Sequence, residues 1–229
     1  MDFHAIGRYF FNPVVMQKAL PLLASGLWVT VKVSFLVIVI GFVLGLILAI
    51  IRTTNLKYVG KPISFLIRVY VDLLRASPYL VLLSLVYFAL PFAGINLSTF
   101  TATVLTFGAC LSAFTEEIFR AGIEAVDKGQ WEAARSLGLN LLQTMRSVVL
   151  PQAVRISVPT LANRGVAIAK AISMASAIAL PDLLKQARWA QGIFANPTPL
   201  IEAAIIYVLL FLPLLRLTLF LEKKWGKGL

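Results

Sequence analysis

The sequence predicts an all-α polytopic membrane protein with five transmembrane helices and an N-terminal helix lying along the interface. Three observations predict it. Of 229 residues, 59% are hydrophobic and only 14% charged, with a mean hydropathy of +0.88, a balance rare in soluble domains. Apolar runs approaching or exceeding the roughly 20 residues needed to cross the hydrocarbon core recur along the chain. The cations gather between alternate runs, as Lys and Arg do in cytoplasmic loops. The net charge of +11 is therefore scattered among apolar spans and is no footprint of nucleic acid.

Residues 1–20 mix aromatic and charged groups (Phe3, Arg8, Tyr9, Phe10, Phe11, Lys18) and suit an interfacial helix. Residues 22–51 form the first span, and Gly41 and Gly45 stand at the GxxxG spacing of close helix packing. Arg52, Lys57 and Lys61 mark its far end as cytoplasmic. The second span, 62–91, is interrupted early by Arg68, Asp72 and Arg75. Its first half reads as oblique and interfacial, with a kink near Pro78 before the deep part. An uncharged turn follows, and 99–122 is the third span.

Residues 128–151 form a polar cytoplasmic loop, flanked and filled by Lys128, Arg135, Arg146 and Arg155. The fourth span covers about 155–180, a modest outer segment 182–199, and the fifth span 200–221 before a basic tail with Lys223, Lys224 and Lys227. Five crossings with the N-terminus outside and the C-terminus cytoplasmic satisfy the positive-inside rule at every loop. The N-terminus lacks a basic start, short apolar core and cleavage site, so no removable signal peptide is expected. Cys110 excludes an internal disulfide and reads as an apolar packing residue. His4 reads as exposed. No metal-ligand cluster, nucleophile motif or G-x-x-x-x-G-K-[ST] phosphate loop occurs, so ATP hydrolysis by this chain is excluded.

The polar loop carries the most specific string. Glu132-Ala133-Ala134 is followed after three residues by Gly138, and after nine more by Val148, Val149 and Leu150-Pro151. Trp131 to Leu142 is expected to form about three helical turns. Trp131, Ala134, Leu137 and Leu141 would then share a face suited to a partner's groove, and Glu132 would lie in the first turn, favoured by the helix dipole. Gly138, costly in mid-helix by ~1 kcal/mol relative to Ala, suggests a bend or a close backbone approach.

That string resembles the EAA signature of permease subunits of bacterial ABC importers, with Val148 where the family usually has Ile. The likeness extends along most of the chain to the polar amino-acid subfamily. Leu22-Leu23-x-x-Gly26-x-x-x-Thr30, Arg75-Ala76-Ser77-Pro78 (usually R-G-T-P), Glu117-Ile118-x-Arg120 and Gly129-Gln130 resemble its pattern. So do Pro151-Gln152-Ala153-x-Arg155 and Pro159-x-Leu161-x-Asn163. Lys170-Ala171-Ile172-Ser173-Met174 departs from the usual K-D-T-S-L by losing an acid and a hydroxyl.

The resemblance implies an all-α transmembrane domain with a cytoplasmic coupling helix, forming the translocation pathway for a polar amino acid or related compound. It implies no enzyme and no cofactor on this chain, with ATP and Mg bound by the partner ATPase. The implied partners are a second permease subunit (a copy or a paralogue), two ABC ATPase subunits and an extracytoplasmic solute-binding protein, at the bacterial inner membrane. Gly129, Glu132, Ala133, Ala134, Gly138, Leu150 and Pro151 would couple to the ATPase. Lys170, Ser173, Asn163, Ser77 and Glu117 are the candidates for the substrate path. Asn163 and Ser173 share the helical face of Lys170, which would bind a substrate carboxylate or pair with an acid of the companion subunit. Glu116 and Glu117 with Arg120 read first as structural pairs near the headgroups. Other importer branches (methionine, phosphonate), an ion-coupled secondary transporter and a membrane scaffold are the alternative readings.

Overall fold

Asn12 opens the first long helix, its side chain accepting from the amides of Val14 and Val15 at 3.0 and 3.3 Å, with Pro13 pre-set for the first helical position. In this computed structural model residues 9–54 and 60–225 are described, so Phe3, His4, Arg8, Lys57 and Lys227 lie outside the described residues. Helix α1 then runs unbroken over Pro13–Thr54, 42 residues. At ~1.5 Å per residue that is about twice the ~30 Å hydrocarbon thickness. Residues 13–20 are thus the first turns of the span helix, not a separate element; Pro21 sits inside the rod.

One stripe of α1 is buried, formed by Ala19, Leu23, Gly26, Thr30, Val33, Val37, Gly41, Gly45 and Ala49. Steps of three and four residues keep them on one face. Trp28 and Phe35 on other faces are 66% and 65% exposed, as lipid contact demands. The small residues matter: a Cβ on Gly41 would lie 2.6 Å from Leu111, and one on Gly45 would overlap Thr115 Oγ1. Thr115 uses this proximity to donate to the Gly41 carbonyl at 2.8 Å. The GxxxG expectation of close packing holds.

Helix α2 (Gly60–Ala76) ends where Ser77-Pro78 forbids continuation, with Pro78 extended at φ −63° and ψ 132°. Helix α3 (Tyr79–Ser84) restarts, continues through a π turn over Leu85–Ala89 and a 3₁₀ turn over Leu90–Ala93, and lies at 106° to α2. The expected kink is therefore a sharp break. Tyr70 ties α2 to the centre of the fold, its hydroxyl bonding the Ala109 carbonyl at 3.1 Å and Ser112 Oγ at 2.7 Å.

Helix α4 (Thr99–Glu124), capped by Ser98, is central. Of its most apolar 18 residues 72% are buried, against 22% in α1 and 11% in the last helix. The loop contains α5 (Lys128–Ser136) and α6 (Leu141–Thr144), followed by a π turn over Met145–Val149. Helix α7 (Leu150–Ala171) carries on into a 3₁₀ segment, Ile172–Ile178.

Both π turns run directly into a Leu-Pro pair, Leu90-Pro91 and Leu150-Pro151. A proline offers no N–H to the previous turn and its ring crowds that turn's carbonyl, so the helix widens there.

The modest outer segment 182–199 contains helix α8 (Leu183–Phe194). Its N-cap Asp182 accepts from the Lys185 amide at 2.8 Å, and it lies at 47° to the helical stretch before it. It buries Leu183, Gln186, Ala187 and Ala190. The Thr30 hydroxyl on α1 accepts from the Leu183 amide at 3.1 Å. Helix α9 (Thr198–Trp225) closes the described chain. Among the described residues three helices, α1, α4 and α9, are individually long and apolar enough to cross a membrane; counting each of the two bent pairs as one crossing gives five.

Candidate functional site

The polar loop is built differently from the single helix expected over Trp131–Leu142. Helix α5 begins earlier, at Lys128, because Asp127 caps it by accepting from the Gly129 amide at 2.7 Å. Glu132 is consequently in the second turn and exposed, not in the first turn. The helix stops after Ser136. Gly138 takes φ +80°, and the amides of Gly138 and Leu139 donate to the Arg135 and Ala134 carbonyls at 2.9 and 3.2 Å. These are the paired bonds of a Schellman cap. Asn140 and Gln143 then start α6 with a reciprocal capping box, both bonds 2.9 Å.

Gly138 is thus an end residue, and a Cβ there would meet nothing within 4 Å. The left-handed backbone is its reason, not close approach. The expected apolar stripe also splits. Ala134 is buried, and the half-buried Trp131 packs on the cluster of Met145, Val149, Ala153, Phe119 and Ile123. Leu137 and Leu142 point out, 82% and 71% exposed. Gly129, Glu132, Ala133 and Pro151 are exposed and Leu150 half-buried. The loop therefore presents a convex surface tipped by two leucines, anchored from beneath by Trp131 and Ala134.

The loop joins α4 to α7, and these two cross tightly. A Cβ on Gly122 would overlap Ser157 Oγ and stand 2.9 Å from the Ala153 carbonyl. Between them runs an open groove of about 410 Å³ lined by Glu117, Ala121, Ala125, Ile156 and Thr160 among others.

The acids on α4 have distinct settings. Glu116 is fully buried and its two oxygens receive Arg52 Nη1 at 3.1 and 3.2 Å, with Arg120 Nε at 3.8 Å. A buried carboxylate held by two guanidiniums is a structural clamp between α1 and α4. Glu117 pairs with Arg75 of α2 at 2.6 Å while remaining 40% exposed at the head of the groove. Ser77 donates to the Leu73 carbonyl at 2.7 Å, and so spends its hydroxyl at the end of α2.

Lys170 and Ser173 lie on the other flank of α7. Lys170 is exposed, with Nζ 5.8 Å from the centre of the Phe211 ring. Ser173 donates to the Lys170 carbonyl at 2.9 Å. Together with Tyr207, Phe211 and Leu215 of α9 they line an open, mostly apolar groove of about 370 Å³. Asn163 is exposed two turns before Lys170. The candidates for the substrate path therefore fall into two groups, Lys170–Ser173 facing α9 and Glu117 facing α2, with the exposed strip of α7 bearing Asn163 between them.

Residues 38–227 match the family described as the binding-protein-dependent transport system inner membrane component. The chain belongs to that family. This transport component is 38% identical to the probable amino-acid ABC transporter permease protein YckA of Bacillus subtilis, over 87% of each chain. It is 34% identical to the L-cystine transport system permease protein TcyB of the same organism, over 85% of this chain and 82% of that one. A crystal structure of an amino acid ABC transporter with histidines superposes with a TM-score of 0.82 at 37% identity, covering 92% of this chain and 97% of that one. A methionine transporter, MetNI, shares the fold at a TM-score of 0.71 and 21% identity.

Sequence reasoning missed one cluster of this transport component altogether. Arg164 of α7 lays its guanidinium 3.2 Å above the Phe114 ring and donates to Tyr79 Oη at 2.8 Å. Arg75 approaches the same ring at 5.4 Å. The partners come from α2, α3, α4 and α7, so no local spacing announces them.

Proposed function

We propose that the chain is the permease subunit of an ABC importer for a polar amino acid or a closely related compound. It would cross the inner membrane five times, N-terminus outside and C-terminus cytoplasmic, and pair with a second permease. The single observation that carries the coupling role is the shape of the 128–151 loop. Helix α5, capped by Asp127 and closed at Gly138, and the capping box that starts α6 hold Leu137 and Leu142 in solvent, an arrangement with no use within the chain itself. Exposed leucines beside Glu132, Ala133 and Arg135 suit the groove of a cytosolic ATPase. That ATPase would carry the ATP and Mg, and an extracytoplasmic binding protein would deliver cargo. The identities to permeases named for amino acids and L-cystine favour the amino-acid branch over the methionine one. Lys170, Ser173, Asn163 and Glu117 would line the path, biased between inward and outward access by nucleotide.

The test is reconstitution. The chain, purified from its native cells with its companions and placed in vesicles, should retain an ABC ATPase and take up a labelled amino acid only when ATP is supplied. Uptake that persists without ATP, or purification with no ATPase attached, refutes the reading.

A further inference from the structure

We propose that Arg164, stacked on Phe114 and oriented by Tyr79, is a binding station for the carboxylate of a free amino acid on the transport route. This rests on the reading of the chain as an amino-acid permease and adds to it a site and a ligand group. Among the described residues Arg75 has its carboxylate, Glu117 at 2.6 Å, and Arg52 and Arg120 share Glu116. Arg164 pairs with no acid among the described residues. Its contacts are one hydroxyl and one aromatic face. Its Nε is buried without an acceptor. A charged group inside an apolar span normally finds a counter-charge or lines a polar path. A guanidinium held flat by a ring, with donors left over along its edge, matches the fork geometry of a carboxylate.

The surroundings allow a small ligand to reach it. Thr160, one turn before Arg164 on α7, and Glu117, one turn after Phe114 on α4, both line the 410 Å³ groove between those helices. That groove reaches Ala125, next to the polar loop, and is of the size that small-molecule sites occupy. Glu117 at its head, 40% exposed, offers the opposite charge about one helical turn from Phe114. A zwitterion spanning the gap between Arg164 and Glu117 would set its carboxylate against the guanidinium and its ammonium toward Glu117. Arg75, bound to Glu117 and near the Phe114 ring, would be the competitor that the ammonium displaces.

Equilibrium dialysis of the purified complex in nanodiscs, nucleotide-free, tests the proposal with radiolabelled L-glutamine, L-glutamate, L-arginine and L-cystine. Each is compared with its α-carboxamide. Wild type should bind at least one amino acid about tenfold or more tightly than its amide, since a charge-assisted pair is lost. Arg164→Gln should erase that preference. Arg164→Lys should restore part of it, and Tyr79→Phe should weaken it by a smaller factor. Retained ATPase activity and unchanged elution of the variants separate loss of binding from loss of fold. If Arg164→Gln binds amino acids as wild type does, the proposal fails while the permease reading stands. If that variant keeps its ligand but loses its second permease, the missing carboxylate belongs to the partner subunit and the proposal again fails. If no amino acid binds an active complex, the amino-acid reading itself falls with it.

Discussion

Replacing Gly138 isolates the conformational part of the loop's role. The residue sits at φ +80° and donates one of the two cap bonds that close α5. A Cβ added there meets nothing within 4 Å, so Gly138→Ala carries no clash. Its whole penalty is the left-handed backbone, about 1–2 kcal/mol. That shifts the population of the closed loop by roughly 5–30-fold. Gly138→Asn should be milder, because Asn visits this region more readily. Gly138→Leu has the backbone penalty of Ala plus a side chain projecting from the convex surface. The series Asn, Ala, Leu therefore separates shape from contact. Hydrogen exchange at the Gly138 and Leu139 amides should accelerate in Ala and less in Asn. In vesicles, amino acid imported per ATP hydrolysed should fall in the order Asn, Ala, Leu, with ATP hydrolysis continuing. Unchanged exchange in Gly138→Ala would remove the cap argument. Unchanged uptake per ATP in Gly138→Leu would remove the coupling role.

Gly45→Ala should lower the thermal stability of the detergent-solubilised chain by about 1–3 kcal/mol, since the new methyl overlaps Thr115 Oγ1 and lies 2.9 Å from backbone atoms of α4. Gly192→Ala in α8, with open space at its Cβ, should instead stabilise by about 0.5–1 kcal/mol; equal effects at the two sites would contradict the packing described. Glu116→Gln should cost about 3 kcal/mol, because it strips the counter-charge from Arg52 at a fully buried carboxylate, whereas Arg120 keeps Glu124 at 3.0 Å. Glu117→Gln, with its half-exposed Arg75 pair, should cost under about 1 kcal/mol in the same melting assay.

The apolar runs were readable because hydrocarbon imposes length and polarity on every span, and Pro78 was readable because proline removes a helix donor. What that break does to direction, a turn of 106°, depends on how α2 and α3 pack on α4. At Gly138 the change of direction was legible but the helix end that makes it was not, for a definable reason. The glycine's low helix propensity was weighed as an interior defect, whereas Asn140 and Gln143 downstream already formed the signature of a second helix start. Helix α8 was missed because its buried face includes Gln186 and two alanines, too little apolar mass to register as periodic. Arg164 lies 85 residues from Tyr79, and pairing at that distance leaves no trace in spacing. Sequence pattern encodes what each helix owes to lipid and to its own backbone; contacts among four helices are set by packing.

The loop and the two grooves belong to one mechanical chain. Helix α5 rests through Trp131 on the cluster that holds Met145, Val149 and Ala153, the first turns of the stretch that becomes α7. Helix α7 in turn bears Thr160, Arg164 and Lys170, residues of both flanks of the candidate path. Displacement of α5 by a bound motor would therefore act on the base of α7 and, through Phe119 and Ile123, on α4, which is held to α1 by the Glu116 clamp and the Thr115–Gly41 bond. The π turn at Met145–Val149 sits between the push and the path, and widened turns with a proline beside them are where a helix bends at least expense. Close contact at Gly122 and Ser157 supplies the fulcrum, since neither helix can approach further there. A tilt of α7 about that point would move Arg164 relative to Phe114 on α4. The same motion that opens the groove would then loosen the guanidinium from its ring and release what it holds.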